Sequence, residues 1–588
     1  MQENRQTRSR RVRLIGAIAA LALVVTPVGS AQAEPATASS FGLKPTFTNA
    51  AAFDVSKALR DLPASSRVAG KPAGGLARED RAHPAQSTLA NRLATGHQAD
   101  AALQTRAATD AVSPTIANFE GLSNQNNFDI FGIRVNPPDP IGDVGPNHYV
   151  EMVNLTFGVF SKTGTPLLAP VDTGSLWADF PIDECTEPSG DPVVVYDQIA
   201  DRWLLTQFTT RGLNFPDEPL NLFYNCVAIS TTGDPTGTYY RYAFTTGFNF
   251  PDYPKYGVWR DSYLITTREF GIQDESIYGI GVYGLERNKM IEGDPGARAV
   301  SFLLSDAVVP LPLIGDGLLP PDIDGHTKPK NDAPAPVVGS QDDNWVYGAT
   351  FDALNVWEFD VKWRSTPIAS IRLATQLPVA AFDSAFPCAG ALGSRDCLPQ
   401  PGITNPAQFL DILSYRQRPT WRLAYRNWGS HETLMTNQSV EALPGIAGVR
   451  WYEIRRTGGA YSLFQQGTYA PGDGVHRWMG SIAQDKFGNA AVGYSVVNAT
   501  DVFPGIRYTG RLAGDPPGQM TQGEGTVING TGVQTSTNSR WGDYTSLNLD
   551  PLDDCTFWYV NEYYTLAGQQ TASNAWQTRI ASFKLPGC

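Results

Sequence analysis

The sequence predicts an all-β protein, a seven-bladed β-propeller with four-stranded blades. The chain is poor in charged residues, at 18%, and contains 56 glycines and 43 prolines among 588 residues. From about residue 116 onward, short aromatic and β-branched runs alternate with Gly, Pro, Asp and Asn, which is typical of strands joined by turns. One ordered pattern recurs seven times in this region, and a repeated four-stranded unit is typical of propellers. Two or three β-sandwich domains are the alternative.

Each copy of the repeat begins with a polar lead-in, followed by a short apolar strand, an Asp/Asn/Gly turn and a longer aromatic strand. Two further strand-like runs follow most copies, but the last copy is one strand short. We expect residues 115–119 to supply that strand, so that N- and C-terminal strands close the ring. The seven copies are 142–154, 189–208, 252–270, 331–351, 418–440, 476–497 and 540–564.

The beginning of the chain predicts export. Three arginines, the last of them Arg13, precede an apolar run at 14–28, and the small residues Ala31-Gln32-Ala33 follow. This order predicts a secretory signal peptide over residues 1–33. Adjacent arginines leave both the Sec and the Tat export routes open. The apolar run is too short to cross a bilayer, so we expect a secreted, extracellular protein.

Composition then divides the rest of the chain. Residues 34–115 are rich in Ala, Ser, Thr and Arg and poor in aromatics, which predicts a flexible leader or propeptide. The propeller is expected over residues 116–588. The chain has 45 Lys and Arg against 58 Asp and Glu, for a net charge of −13. Because binding to nucleic acid depends on clustered basic residues, no nucleic-acid partner is expected, and no membrane span is predicted.

Six cysteines in an exported chain predict three disulfides. Fifteen connectivities are possible for six cysteines. We prefer the one that keeps each pair within one structural unit. A zinc site is less favoured, because the sequence contains no C-x-x-C pair and no His near a Cys. The predicted pairs are Cys185–Cys226, Cys388–Cys397 and Cys555–Cys588.

The lead-ins supply the candidate functional residues. If the seven short strands line a channel, the lead-ins before them meet on one face. The low-dielectric walls of a narrow channel strengthen the field of each charge there and shift its pKa. The sequence therefore predicts a polar site at the channel mouth. The lead-in residues that would form it are Asp143, His148, Asp191, Tyr253, Lys255, Asp332, Arg418, His476, Arg477, Arg540 and Asp543.

Four of these residues are candidate catalytic groups. His148 and His476 are candidate acids or bases, because histidine titrates near neutral pH. Asp191 and Asp543 are candidates for the carboxylate pair of a glycosidase. For each residue taken alone, a turn hydrogen bond or a structural ion pair is the alternative role.

The remaining candidates bind ligand or metal. The expected ligand-binding residues are Tyr253, Lys255, Arg477 and Arg540. The two arginines would form bidentate hydrogen bonds to a carboxylate or sulfate. Asp143 is a candidate calcium ligand. No other cofactor is required.

Two stretches carry a resemblance to known proteins. The run 142–270 and the segment RWGDYTSLNLDPLDDCTFWYVNEYY (540–564) resemble a group of exported bacterial propeller proteins. That resemblance implies the architecture and no catalytic residue. SIAQDKFGNAAVGYS (481–495) resembles the Asp-box turn of sialidase-like propellers, but without that motif's order of Ser, Asp, Gly and Trp, so it implies nothing about the site.

The other motifs give little information about the function of the protein. Asp322-Ile323-Asp324-Gly325 matches the start of a calcium loop but lacks the terminal Glu, which predicts a turn. The sequence contains no G-x-S-x-G, H-E-x-x-H, P-loop or dinucleotide-binding motif.

The first functional hypothesis is an exported hydrolase or lyase that acts on a polysaccharide, acidic ones included, at the channel mouth. The alternative is a non-catalytic propeller that binds a glycan or protein at the cell surface, and a third hypothesis is a structural shell component. The enzyme and the binder differ in one requirement. For the enzyme, His148 or His476 must lie beside the cations that hold the substrate.

Overall fold

The computed structural model describes residues 41–62, 99–104, 108, 110–274, 277–343, 347–384, 386, 395–412 and 417–588. Seven blades form a ring, which confirms the predicted fold class. The predicted signal peptide lies outside the described residues. Among the described residues, no helix is both long enough and apolar enough to cross a bilayer.

Most of the described chain is β-strand. The strands before the first blade are β1 (Thr46–Asn49), β2 (Ala52–Val55) and β3 (Ala117–Ser123). Blade 1 contains β4 (Ile141–Val144), β5 (His148–Val153), β6 (Thr156–Ser161) and β7 (Pro166–Asp172). Blade 2 contains β8 (Val193–Asp197), β9 (Arg202–Phe208), β10 (Phe223–Ser230) and β11 (Tyr239–Gly247). Blade 3 contains β12 (Asn249–Val258), β13 (Ser262–Gly271), β14 (Tyr278–Glu286) and β15 (Arg298–Ser305).

Blade 4 contains β16 (Pro321–Asp324), β17 (Ala335–Gln341), β18 (Ala353–Lys362) and β19 (Ile368–Pro378). A small two-stranded sheet follows, made of β20 (Asp396–Leu398) and β21 (Leu410–Asp411). Blade 5 contains β22 (Thr420–Asn427), β23 (Glu432–Leu443), β24 (Ile446–Thr457) and β25 (Ala460–Tyr469). Blade 6 contains β26 (His476–Gln484), β27 (Ala490–Val497), β28 (Gly505–Arg511) and β29 (Gly525–Ile528). Blade 7 contains β30 (Ser546–Leu549), β31 (Phe557–Tyr564) and β32 (Trp576–Phe583).

The helices of the described chain are short. They are α1 (Asn124–Phe131), α2 (Asp183–Thr186), α3 (Arg287–Glu292) and α4 (Leu566–Gln569), with 3-10 turns at Leu59–Asp61, Thr173–Trp177, Arg211–Asn214, Leu311–Leu313 and Pro406–Gln408. Ser123 and Asn126 form a capping box at the start of α1, and Gly132 ends that helix with a φ of 73°.

The innermost strands of the blades surround the channel, and side-chain-to-backbone hydrogen bonds link neighbouring blades. Ser546 Oγ of β30 accepts from Gly142 N of β4 and donates to Gly142 O, at 2.9 and 2.6 Å. Asp143 Oδ2 accepts from Tyr196 N of β8 at 2.6 Å, and Ser481 Oγ of β26 accepts from Leu547 N at 3.0 Å. Small and short polar residues on the inner strands therefore join the blades.

The fourth blade departs from the predicted repeat. β16 takes the inner position, pairs in parallel with β22 of blade 5, and bridges to blade 4 through Leu319 and Val338. The stretch 331–351 was predicted to contain the inner strand of this repeat. It instead contains β17, the second strand of blade 4. The predicted turn at 322–325 is wrong, because Asp322 to Asp324 belong to β16.

Both ends of the propeller region meet in blade 7. β3 pairs antiparallel with β32, from Ala117 opposite Ser582 to Ser123 opposite Gln577, and completes a four-stranded sheet with β30 and β31. This confirms the predicted closure of the ring by N- and C-terminal strands.

The described parts of the predicted leader are built into the propeller. β2 pairs with β11 and β1 with β15, so blades 2 and 3 each gain a fifth strand. Asp54 of β2 accepts two hydrogen bonds from Arg241, at 2.7 and 2.6 Å. Asp100 forms a buried ion pair with Arg450 of blade 5, at 2.9 Å. These described segments thus pair with blades 2, 3 and 5.

The hydrophobic core lies between the blades, where large aromatic side chains fill the interfaces. Trp203, Trp357, Trp451, Trp478 and Trp541 are all fully buried. The disulfides Cys185–Cys226 and Cys555–Cys588 confirm two predicted pairs. Cys388, one half of the third predicted pair, lies outside the described residues. Disulfides are consistent with an exported protein.

Candidate functional site

The channel has two ends. We call the end where the inner strands begin the lead-in face and the end where they turn into the second strands the hairpin face. At the lead-in face, five blades carry a non-glycine residue in the left-handed region: Asp139, Asp191, Tyr253, Gln417 and Met479, with φ between 42° and 55°. Such conformations are strained for these residue types and concentrate at functional sites. The backbone thus marks this end as a candidate site.

Side chains from several blades meet at the lead-in face. We call this group the lead-in cluster. The structure brings together six of the predicted residues and adds three that the sequence reasoning missed: Asp191, Tyr253, Lys255, Arg418, Arg540 and Asp543, with Asp139, Tyr544 and Glu562. Each of these nine side chains belongs to a residue that is at most 6% exposed.

The acidic half of the lead-in cluster holds a proton. Asp139 accepts from Asp543 N and Asn154 Nδ2, both at 2.7 Å. Burial and the charge of Asp543 raise the pKa of Asp139 to about 7. Burial also raises the pKa of Glu562 well above its usual value. Arg540 neutralises Asp543 at 2.7 Å, so the remaining carboxyl groups share too few cations to be fully ionised at neutral pH.

Residues 395–412 pass over blades 6 and 7 on the lead-in face. Asp411 of β21 lies 3.4 Å from Arg540 Nε, and Gln400 exchanges hydrogen bonds with the backbone of Gln534 at 2.9 Å in each direction. This segment also packs Leu398 against the tryptophans of blades 6 and 7. The lead-in cluster is therefore enclosed by protein.

Two predicted residues of blade 6 lie on the same face but are engaged elsewhere. Arg477 pairs with Asp473 at 2.8 Å and with Glu524 at 2.7 Å, in a buried network within its own blade. His476 Nδ1 accepts from Ala447 N at 3.3 Å. Burial and the charge of Arg477 lower the pKa of His476 to about 4, so this ring is neutral at pH 7.

The other three displaced predictions are His148, Asp332 and Asp143, of which Asp143 lies towards the hairpin face. His148 begins β5, after the first hairpin, and so lies on the hairpin face, where burial lowers its pKa. The Asp332 side chain is 80% exposed and pairs with Lys362 at 3.2 Å. Neither histidine thus shares the lead-in cluster with Lys255, whereas Asp191 and Asp543 do.

A cavity opens at the hairpin face. It has a volume of about 20 Å³, is partly open to solvent, and is formed by the inner strands and the turns that follow them. We call it the hairpin-face cavity. Its lining residues are Asp143, Val144, Tyr196, Gln198, Asp322, Ile323, Asp324, Arg422, Asn548, Leu549 and Pro551.

One guanidinium group organises the charges of this cavity. Arg422 donates to both oxygens of Asp324, at 2.5 and 2.9 Å, and to Asp322 at 3.0 Å. Burial and the charge of Asp322 raise the pKa of Asp143 to about 8. The cavity therefore places a carboxyl group with a raised pKa beside two aspartates that pair with one arginine. Calcium binding by Asp143 stays a prediction.

The hydrogen-bonding pattern of the cavity is one-sided. Gln198 Nε2 donates to Ile323 O and Gly325 O, and Asn548 Nδ2 donates to Gly142 O. Every nitrogen of the Arg422 side chain also donates to a protein acceptor. Within the described chain, the amide oxygens of Gln198 and Asn548 accept no hydrogen bond. The cavity thus offers mainly acceptors to a ligand.

Comparison with known proteins shows weak similarity only. No protein-family model and no curated protein matches the chain. Among solved structures, the phage phi92 endosialidase matches at 9% identity with a TM-score of 0.29, over 67% of this chain and 66% of that one. The Trypanosoma rangeli sialidase in complex with the inhibitor DANA matches at 10% identity with a TM-score of 0.27, over 67% and 54%. A GH93 alpha-L-arabinofuranosidase of Fusarium graminearum in complex with arabinobiose matches at 10% identity with a TM-score of 0.25, over 65% and 89%. The matched region spans less than two thirds of the first two proteins.

Proposed function

We propose that this protein is an exported carbohydrate-binding propeller whose ligand enters the hairpin-face cavity. The observation that carries the proposal is the acceptor-rich lining. The side-chain donors of Gln198, Arg422 and Asn548 are engaged with protein oxygens, while the amide oxygens of Gln198 and Asn548 accept no hydrogen bond from the described chain. A ligand that fits such a lining must bring many donors of its own, and the hydroxyl groups of a sugar do so.

Binding rather than histidine-dependent catalysis is favoured by where the two histidines lie. His148 lies at the start of β5, and His476 is a buried ring hydrogen-bonded to the backbone. The charge of the cavity also changes the expected ligand. Its one arginine is already paired with two carboxylates, so a neutral polysaccharide suits it better than an acidic one. The ligand we propose is a neutral glycan outside the cell.

The binding site is tested by comparing the two ends of the channel. Isothermal titration of the full chain with a panel of neutral oligosaccharides identifies a ligand. Asp143→Asn keeps the shape of the hairpin-face cavity but changes one acceptor, and we expect it to weaken binding about two- to tenfold. The matched control is Asp191→Asn, the same exchange in the lead-in cluster, which should leave affinity unchanged within about twofold. If only Asp191→Asn weakens binding, the site lies at the other end.

A second candidate function is glycoside hydrolysis in the same cavity, and the raised pKa of Asp143 favours it. A protonated carboxyl group beside an ionised carboxylate is the acid–base arrangement of glycoside hydrolases. Asp143 would give its proton to the glycosidic oxygen, and Asp322, which accepts from Arg422, would act as base or nucleophile.

Release of reducing ends separates this candidate from simple binding. We expect Asp143→Asn to reduce turnover about 100-fold or more. The same change should weaken affinity by no more than about tenfold. Tight binding of a polysaccharide without any release of reducing ends would contradict hydrolysis and leave the binding proposal standing.

A further inference from the structure

Lys255 is a second chemically distinctive group, at the opposite end of the channel from the proposed carbohydrate site. It lies on β12 in the lead-in cluster and is 1% exposed. Its Nζ lies 3.0 Å from the ring centroid of Tyr253 and 3.3 Å from that of Tyr544. Within the described chain, this nitrogen has no hydrogen-bond acceptor. A buried lysine amine without an acceptor is unusual, because buried polar groups are normally hydrogen-bonded.

The surroundings of Lys255 favour the neutral amine. Burial is the largest influence, and the positive charge of Arg418 comes next; together they lower the pKa of Lys255 well below its usual value. The faces of Tyr253 and Tyr544 favour the charged amine, and Asp191, Asp543 and Asp139 also oppose this shift without reversing it. Arg418 lies close, with its guanidinium carbon 3.8 Å from the Tyr253 ring centroid. A desolvated lysine next to another cation is an established way to obtain a nucleophilic amine.

Groups able to carry protons lie beside the amine. The hydroxyl of Tyr544 donates to Pro254 O at 2.9 Å and lies 3.3 Å from Asp191 Oδ2. Asp139, with its pKa of about 7, also interacts electrostatically with Lys255. A lysine that attacks a carbonyl group needs such neighbours, because the resulting carbinolamine must be protonated before it loses water.

We propose that Lys255 is a nucleophilic amine that captures a small aldehyde or ketone as an imine. The amine lone pair attacks the carbonyl carbon and the carbonyl oxygen takes up a proton. The carbinolamine then loses that oxygen as water, and a carbon–nitrogen double bond to Nζ remains. The carbonyl compound must be small, or the end of a narrow chain, because the amine is enclosed. This reaction is independent of the carbohydrate site.

Reductive trapping tests the proposal on the full wild-type chain. The protein is incubated at pH 7 with acetaldehyde and sodium cyanoborohydride, which converts an imine into a stable secondary amine. Peptide mass spectrometry then gives the labelling rate of each lysine. Lys486, which is exposed on the hairpin face, serves as the internal control, because an ordinary lysine is almost fully protonated at this pH.

We expect Lys255 to be labelled at least about tenfold faster than Lys486 at pH 7, since burial and the charge of Arg418 favour its neutral amine. The advantage should vanish in urea-unfolded protein, where the two lysines have equal surroundings. In Arg418→Gln, labelling of Lys255 at pH 7 should slow, because the neighbouring positive charge is gone. Labelling of Lys486 without labelling of Lys255 in the folded wild-type chain would overturn the proposal, and so would equal rates for the two lysines.

Discussion

At the scale of single residues, burial rather than ion pairing sets the chemistry of this propeller. Asp143, Asp139 and Glu151 lie in the interior, and burial is the largest influence that raises the pKa of each, to about 8, 7 and 7. Each of these carboxyl groups accepts hydrogen bonds from neighbouring strands or lead-ins. They thus join blades together with pKa values shifted towards neutral pH.

Asp143 gives a prediction about pH and stability. Its pKa is about 8 in the folded chain and near 4 in the unfolded chain. Between these values the folded state holds a proton that the unfolded state has released, so the free energy of unfolding falls as pH rises from about 4 to about 8. Asp143→Asn removes this contribution. We expect its urea midpoint to fall less than that of the wild type between pH 5 and pH 8.

The control for this measurement is Asp61→Asn, at an exposed position near the leader strands. It should show the same pH dependence as the wild type. An equal fall in midpoint for Asp143→Asn and wild type would mean that Asp143 is ionised in the folded protein.

Two of the three cluster residues that were not predicted from the sequence had a partial signal there. Asp139 and Asp191 each precede a proline and lie two residues before an inner strand, so the shared Asp-Pro pattern marked Asp139 as a lead-in residue. Tyr544 follows the predicted Asp543 directly. Glu562 had no such signal, because it lies within β31 and reaches the cluster only through the packing of blade 7.

At the scale of elements, local sequence patterns predicted most strands. The pairing between distant segments could not be predicted from those patterns. Asp322 and Asp324 are two residues apart, which places them on one face of a strand. Their acidic and glycine-containing context nevertheless suggested a turn. The strand forms because it pairs with β22, about 100 residues later, and because Arg422 on that partner pairs with both aspartates. No local pattern contains that information.

The leader strands give the prediction at this scale. β1 and β2 cover the outer edges of blades 3 and 2, and unpaired edges promote aggregation. Asp54→Asn breaks a charge-assisted pair with the buried Arg241, and we expect it to lower the free energy of unfolding by about 1 to 2 kcal/mol. Chemical unfolding measures this effect, again with Asp61→Asn as control. A change no larger than that of the control would mean that β2 contributes little to the fold.

At the scale of the whole molecule, the ring topology determines which residues can act together. The sevenfold repeat correctly predicted that lead-ins from several blades meet at one face, because the inner strands all run in the same direction along the channel. It did not predict that residues 395–412 enclose that face. The ends of the inner strands, where no site was predicted from the sequence, form the cavity at the hairpin face.

A crystal structure of the full chain with a bound neutral oligosaccharide tests the central claim most directly. We expect a sugar ring across the opening of the hairpin-face cavity, with hydroxyl groups donating to Asp143, Gln198 and Asn548. Sugar density confined to the lead-in face or to the outer strands, with the cavity holding only solvent, would contradict it.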